Sequence, residues 1–525
     1  MLGTGHSFPS LFRSVSLSYH YIRFRSRLMS TRSYKEAIEC LNSLQSNAVV
    51  LEAVRASGGR SSAFAIPEML EYLQRIGYSP DDLNALNVIH ITGTKGKGST
   101  SAFTSNILQH AKPEWKIGLY TSPHLVAVRE RIRVNGEPIS EEQFTKYFFE
   151  IWEKLEKNDT RKHESTPAKP GYFRYLTLLA FHAFLDMKVD ATVLEVGVGG
   201  TYDSTNIVPK PVVTGITALG IDHVTVLGKT LKEIAWQKGG IFKEGIPAFT
   251  MEQPQEGMEV LRERAKELKA SSFTITPLLP GISDAKLGLA GDHQIQNANL
   301  AVYLAQTFLQ TDVSLNDYVI EGLKKTSWPG RCQTVSDPSS HNLTWFLDGA
   351  HTLESLDCCM RWHVSPGVGL PEKSTSARQK RILVFNCTSG RSGSSFLSAM
   401  YAKLSAQLQL HQSLETPERY FDEVIFCTNV TYADGCFKGD LTAVSIPEAD
   451  LAELKTQHQL AVAWHDIVPS YPQESIHVLA SVEHAVDLVK NVTSQSTSGV
   501  SVLVAGSLHL VGGVIEVANL ARVAL

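Results

Sequence analysis

Short apolar runs alternate with helix-patterned segments along most of this chain, and the alternation occurs twice. NVIHIT (87–92), KIGLYTS (116–122), ATVLEVG (191–197) and VVTGIT (212–217) read as buried strands. Helices are expected at 101–110, 141–155 and 173–185, and again near 293–309 and 315–325. Such a pattern buries its apolar faces as a mostly parallel sheet with helices on both sides. It restarts with LTWFLDG (343–349), RILVFN (381–386), EVIFCTN (423–429) and VSVLVAG (500–506), with helices from Thr352 and near 395–408. Between the blocks, SWPGRCQTVSDPSSHN (327–342) is rich in turn formers and reads as a linker. The expected fold is α/β. A P-loop-type, mostly parallel sheet domain spans 33–328, a linker 329–342, and a smaller Rossmann-like α/β domain 343–525. A chain of 525 residues needs more than one core in any case.

Residues 1–32 differ from the rest. No Asp or Glu occurs before Glu36, while Arg13, Arg23, Arg25, Arg27 and Arg32 recur among serines and aromatics. An acid-free, Arg- and Ser-rich start reads as a mitochondrial transit peptide, with a disordered tail as the alternative. Met29 lies inside it, so initiation there would yield a cytoplasmic form beside a mitochondrial one.

Composition removes several classes of function. A net charge of −4 supplies no basic field for nucleic acid. No apolar run is long enough to span a bilayer. Seven dispersed cysteines without a C-x-x-C pair suit reduced thiols better than a disulfide frame. The run RERAKELK (262–269) reads as a solvated helix face with i,i+3 pairs, and VTSQSTSGV (492–500) as a flexible turn.

The chemistry-bearing residues cluster where strands end. ITGTKGKGST (91–100) follows a strand and opens a helix, the context in which backbone N–H groups cradle a phosphate. It breaks the pattern G-x-x-x-x-G-K-[ST]: Ile91 stands where a glycine is required, and Gly98 separates Lys97 from Ser99. From the residues alone it is either a phosphate loop, with Lys97 on the phosphates and Ser99 or Thr100 on a metal, or a plain β–α turn. Glu195, at a strand end before Gly197, Gly199 and Gly200, suits a Mg²⁺ ligand or a solvated edge acid. His223 is a candidate metal ligand oriented by Asp222, or a surface histidine; His182 on an apolar helix reads as structural. His293 and Asn297 share a helix face, and Arg331, Asp348 and His351 gather near the domain junction.

In order along the chain, HITGTKGKGST, TSPHLVAVRERIRVNGEPIS, LEVGVGGTYDSTN, GITALGIDHVTVLGKTLKEIAWQKGGIFK, HQIQNANLA, WPGRCQ, LDGAHT and AGSLHLVGG resemble the folylpolyglutamate synthase family. The resemblance is to its eukaryotic branch, within the Mur-ligase-like superfamily of ATP-dependent amide ligases. The family's own loop is G-T-x-G-K-G-S, so Gly98 is expected there and Lys95 falls on a variable position. The resemblance implies an ATPase domain in which Gly96, Lys97, Gly98 and Ser99 bind ATP phosphates. Ser122, Glu195 and His223 would hold Mg²⁺, and Asn297, Arg331 and Asp348 would contact the nucleotide. Lys238 matches a lysine carbamylated in some members. TSPHLVAVRERI resembles the mobile loop associated with folate, and His351, with His509 less directly, would serve glutamate in the second domain.

The activity so implied is addition of L-glutamate to the γ-carboxylate of a reduced folate through an acyl phosphate, releasing ADP and phosphate. The expected requirements are MgATP and a monovalent cation such as K⁺, in a monomer. Dihydrofolate synthase, using the same machinery on dihydropteroate, is the nearest rival. A non-catalytic ATP- or folate-binding protein is a more distant one, disfavoured by Lys97, Glu195, His223, Arg331 and Asp348 together. NCTSGRSGS (386–394) departs from the family's N-x-T-G-x-R-D, with Ser389 for glycine and no acid after Arg391, and AGS (505–507) replaces TGS.

Overall fold

The computed structural model describes residues 32–45, 64–162, 166–372, 378–387, 392–434 and 453–525. Residues 1–31, with Met29 among them, and Ser389 and Arg391 lie outside them.

Eight strands form the first sheet: β1 Val88–Thr92, β2 Ile117–Tyr120, β3 Ile132–Val134, β4 Glu137–Pro138, β5 Ala191–Glu195, β6 Val213–Ile216, β7 Pro247–Thr250 and β8 Ser272–Ile275. Their order is β4-β3-β2-β5-β1-β6-β7-β8, parallel except at the β3–β4 edge. Every residue of β1 and β5 is buried, which is why these strands are apolar runs rather than alternating ones. Helices Lys97–Ala111 and His293–Leu309 pack together on one face over a core that includes Ile89, Phe103, Ile107 and Leu300. On the other, Tyr172–Met187 and Glu141–Lys157 pack with helices Tyr34–Ser43 and Ala65–Arg75.

The second sheet contains β9 Gln333–Ser336, β10 Leu343–Leu347, β11 Lys380–Phe385, β12 Glu423–Cys427, β13 Ile476–Leu479 and β14 Val500–Ala505. The order is β13-β12-β11-β14-β10-β9, with only β9 antiparallel. The expected α/β class holds for both sheets.

Four details depart from the sequence reading. The 329–342 linker contains β9, whose Gln333–Ser336 pairs with β10, so the crossing is confined to a few residues beyond Trp328. Polar turn formers on both sides hid a short edge strand. Residues 492–495 finish helix Val482–Gln495 rather than forming a turn. Arg264 is buried rather than solvated, its guanidinium 4.5 Å from the Trp236 ring centroid, although the i,i+3 pair with Glu267 is present. The hairpin β3–β4 lies in a segment with no predicted strand.

His182 is structural, held by Tyr78 and Glu150 at 2.7 Å each. The six described cysteines are free thiols. No helix among the described residues is long and apolar enough to cross a membrane.

Candidate active site

Strand order brings the predicted loops together. β1 lies between β5 and β6, and β2 lies beside β5. The segments leaving the carboxyl ends of these four strands therefore meet at one edge of the sheet. They are the Gly93–Gly96 loop, the turn at Ser122, the turn after Glu195, and the Ala218–His223 stretch. This is the edge where open α/β sheets bind ligands. The carboxyl ends of β10 and β14 face the same space, and a cleft of about 700 Å³ lies between the two sheets.

Of the residues expected at a site, Gly96, Lys97, Gly98, Ser99, Ser122, Glu195, His223, Asn297, Arg331, Asp348 and His351 all line this cleft. Lys238 does not. It is buried behind the loop and donates to the Gly93 carbonyl at 2.7 Å. Of the two hydroxyl candidates Ser99 lines the cleft and Thr100 is buried in the helix.

Gly96 caps the N-terminus of helix Lys97–Ala111 at φ +88, a conformation that costs an L-residue energy. A Cβ there would stand 2.2 Å from Asn297 Oδ1, so glycine also lets the neighbouring helix approach. The bend leaves the first N–H groups of a fifteen-residue helix facing the cleft.

Lys97 Nζ donates to the carbonyls of Gly93 (2.9 Å) and Thr94 (3.4 Å). Burial pulls its ammonium below the ordinary lysine range. Lys95, the other lysine of the loop, pairs with Asp222 at 3.0 Å. That pairing corrects one expectation: Asp222 does not orient the His223 ring. Its carboxylate accepts from Lys95 and from the His223 backbone N–H. Burial opposes ionisation of Asp222, yet the Lys95 and His223 charges hold it well below the usual carboxylate range.

Glu195 is buried, and desolvation pushes its carboxyl up to about 7 against the pull of Lys97. It accepts the Ser122 N–H at 3.2 Å. No lysine or arginine among the described residues lies within ion-pair distance of it. Carboxylate, hydroxyl and imidazole on one cleft wall fit a hard divalent cation that keeps waters and takes phosphate oxygens. No group of three or more His, Cys, Asp and Glu among the described residues forms a closed metal cage.

From the second domain, Asp348 ends β10 and accepts the Cys332 N–H (2.7 Å) and the Ala350 N–H (2.8 Å). Those bonds fix the turn that carries Arg331 and His351. The His351 Nδ1 is 2.7 Å from the Gly349 carbonyl. His509 does not line the cleft; its neighbour Leu508 does.

Residues not singled out beforehand also line it. Arg131 bonds His124 Nδ1 at 2.9 Å and lies 5.7 Å from the Tyr172 ring. Asp203 caps its own turn through Val198 N–H and Thr205. Phe173 faces the cleft from an apolar helix. The signal for Arg131 was available, since TSPHLVAVRERI stood out as a loop. Phe173 gave none, because in sequence it looks like a core residue.

No protein-family model matches the chain. Folylpolyglutamate synthase of Saccharomyces cerevisiae strain FostersO is 43% identical over 540 residues, which covers 97% of this chain and 93% of that protein. Among solved structures, Mycobacterium tuberculosis folylpolyglutamate synthase complexed with ADP and AMPPCP superposes with a TM-score of 0.64. It is 24% identical and spans 86% of this chain and 95% of its own. Thermotoga maritima folylpolyglutamate synthase gives 0.61 at 25% identity, over 87% and 93%.

Proposed function

The chain belongs to the folylpolyglutamate synthase family, and from that premise we infer that it is an ATP-dependent ligase adding L-glutamate to the γ-carboxylate of a reduced folate. The observation that carries this reading is the cleft itself. It faces the carboxyl ends of both sheets, with Lys97 and Glu195 on one wall and Arg331 and Asp348 on the other.

A carboxylate is a poor electrophile, so it must first acquire a leaving group. One γ-carboxylate oxygen attacks the terminal phosphorus of ATP, the bond to the bridging oxygen breaks, and ADP departs. The neutral amine of glutamate then attacks the acyl carbon. A tetrahedral adduct collapses, phosphate leaves with the transferred carboxylate oxygen, and one amine proton goes to solvent while the new amide keeps the other.

Most of the catalytic work is electrostatic. The helix N-terminus beyond Gly96 and the Lys97 ammonium meet the phosphates, and Lys97 exchanges its carbonyl partners for them. Arg331 and Asp348 approach the nucleotide from the second domain and help exclude water from the acyl phosphate. Asn297 contacts the nucleotide beside Gly96, and His351 serves the glutamate side.

Ser122, Glu195 and His223 would hold Mg²⁺, which supplies charge neutralisation for the transferring phosphoryl group. Lys238, whose ammonium burial pulls well below the ordinary lysine range, is the lysine that carbamylation would convert to an anion. A monovalent cation such as K⁺ and a monomeric state complete the reading. So do a mitochondrial form carrying residues 1–32 and a cytoplasmic form begun at Met29. Fractionation of cells expressing a chain begun at Met29 tests the last point, and unchanged mitochondrial import would refute it.

The direct test is incubation of the protein with MgATP, glutamate and either tetrahydrofolate or dihydropteroate, read by mass spectrometry. Successive glutamate additions to tetrahydrofolate support the reading. Product from dihydropteroate alone would move the chain to the first-glutamate reaction, and no adduct from either pterin would end the ligase reading.

A further inference from the structure

Gly98, the residue that makes the phosphate loop look irregular, is not required by the backbone. Its φ lies outside the left-handed region, in the first turn of a helix that any residue could occupy. A neighbour requires it instead. A Cβ on Gly98 would stand 2.9 Å from Trp328 Nε1, closer than such atoms pack, and 3.4 Å from Trp328 Cε2. The indole lies on a loop position that offers no side chain.

Trp328 is also the last anchor of the chain before it crosses to the second domain. It packs against the first-domain core. The Arg133 guanidinium stands over its ring, 5.4 Å from the centroid. Arg133 Nε donates to the Glu130 carbonyl at 3.1 Å. The Glu130 carboxylate in turn accepts the N–H groups of Leu125, Val126 and Ala127 at 2.9, 3.0 and 2.6 Å. One side chain therefore touches the phosphate loop and, through Arg133, the loop that begins at Ser122. Two residues later the chain belongs to the second domain: the Gly330 carbonyl accepts the Gly349 N–H at 3.0 Å, and Gly330 packs on Leu125 and Val511.

We propose that Trp328 is a positioning residue for ATP: seated on Gly98, it fixes the crossing point so that Arg331, three residues on, faces the phosphate loop. The proposal rests on the reading of that loop as an ATP site. It assigns the extra glycine a cause, the need to receive an indole from the interdomain segment.

A double-mutant cycle tests it. Trp328→Leu should raise KM for ATP about tenfold and lower kcat, with KM for folate changed less than about twofold. Trp328→Phe, which keeps a ring under Arg133, should recover most of the loss. Gly98→Ala should cost about a hundredfold in kcat/KM for ATP in the wild-type background and far less beside Trp328→Leu, because the contact is then already gone. If Trp328→Leu does not fold, the cycle is run with Trp328→Phe, whose smaller ring also relieves the clash. Losses that simply multiply in both backgrounds would overturn the proposal, as would a Trp328→Leu enzyme altered equally toward folate and ATP. Calorimetry of the wild type with MgATP separates the two readings. Absence of binding removes the ATP site itself, whereas binding with independent losses removes only the role of Trp328.

Discussion

Lys97 and Lys238 share one acceptor, the Gly93 carbonyl, at 2.9 and 2.7 Å. The phosphate loop is thus tied from the cleft side by one lysine and from the buried side by another. Were Lys97 to turn to a phosphate, the carbonyl would keep its second donor and the loop its shape. Lys97→Ala should therefore leave the melting transition nearly unchanged and lower kcat/KM by roughly a thousandfold. Retained activity in the ligase assay would remove Lys97 from its role.

Lys238 has the opposite profile. It is buried, and its loss leaves Gly93 with Lys97 alone. Lys238→Met should lower activity with a smaller effect on nucleotide affinity, measured by calorimetry. If carbamylation operates, wild-type activity should fall in buffer stripped of carbon dioxide and return with bicarbonate. Activity indifferent to bicarbonate would leave Lys238 a loop anchor only.

Asp348 and Arg331 line the same wall but differ in what they hold up. Asp348 accepts two backbone N–H groups, whereas the Arg331 guanidinium bonds the adjacent Gly330 carbonyl. Asp348→Ala strands two donors and should cost about 2–4 kcal/mol in urea denaturation, besides its effect on ATP. Arg331→Ala should leave the denaturation midpoint in place and raise KM for ATP about tenfold. Equal destabilisation by both would contradict this division.

His363, away from the cleft, sets a limit on acid stability. It is buried between Phe346 and Phe421, and neither ring nitrogen has a hydrogen-bond partner. Burial, with the Arg381 charge, brings its pKa down to about 3 from an ordinary 6.5. Below 6.5 the unfolded chain takes up a proton that the folded one refuses. The stabilisation is thus complete above 6.5 and falls by about 1.4 kcal/mol per pH unit as pH drops toward 3. Between pH 7 and 5 the wild type should lose about 2 kcal/mol more stability than His363→Phe in urea titrations. Parallel losses would show that His363 is not the group responsible.

What the sequence disclosed follows physical lines. The β1 and β5 strands were legible because full burial makes them continuous apolar runs. The phosphate loop was legible because glycines and lysines between a strand and a helix have few other uses. The edge strands β8, β9 and β13 and the short β7 beside β8 were not, being short and, apart from the buried end of β7 and Val335 in β9, not fully buried. Helix Leu508–Val517 was also missed, no element having been expected beyond the strand at 500–506. Among site residues, those at strand ends declared themselves by position. Arg131, Phe173 and Asp203 reach the cleft only through tertiary packing. The role of Asp222 was misread because its partner, Lys95, lies 127 residues away.

In the reaction proposed above, ATP activates the folate γ-carboxylate as an acyl phosphate. The most direct measurement supplies a folate whose γ-carboxylate carries heavy oxygen and follows the label by mass spectrometry of the products. The expected products are ADP and, with the first glutamate added, phosphate carrying one labelled oxygen; later additions activate the unlabelled carboxylate of the new glutamate and release unlabelled phosphate. Label appearing in AMP, or phosphate free of label in the first addition, would rule the acyl phosphate out.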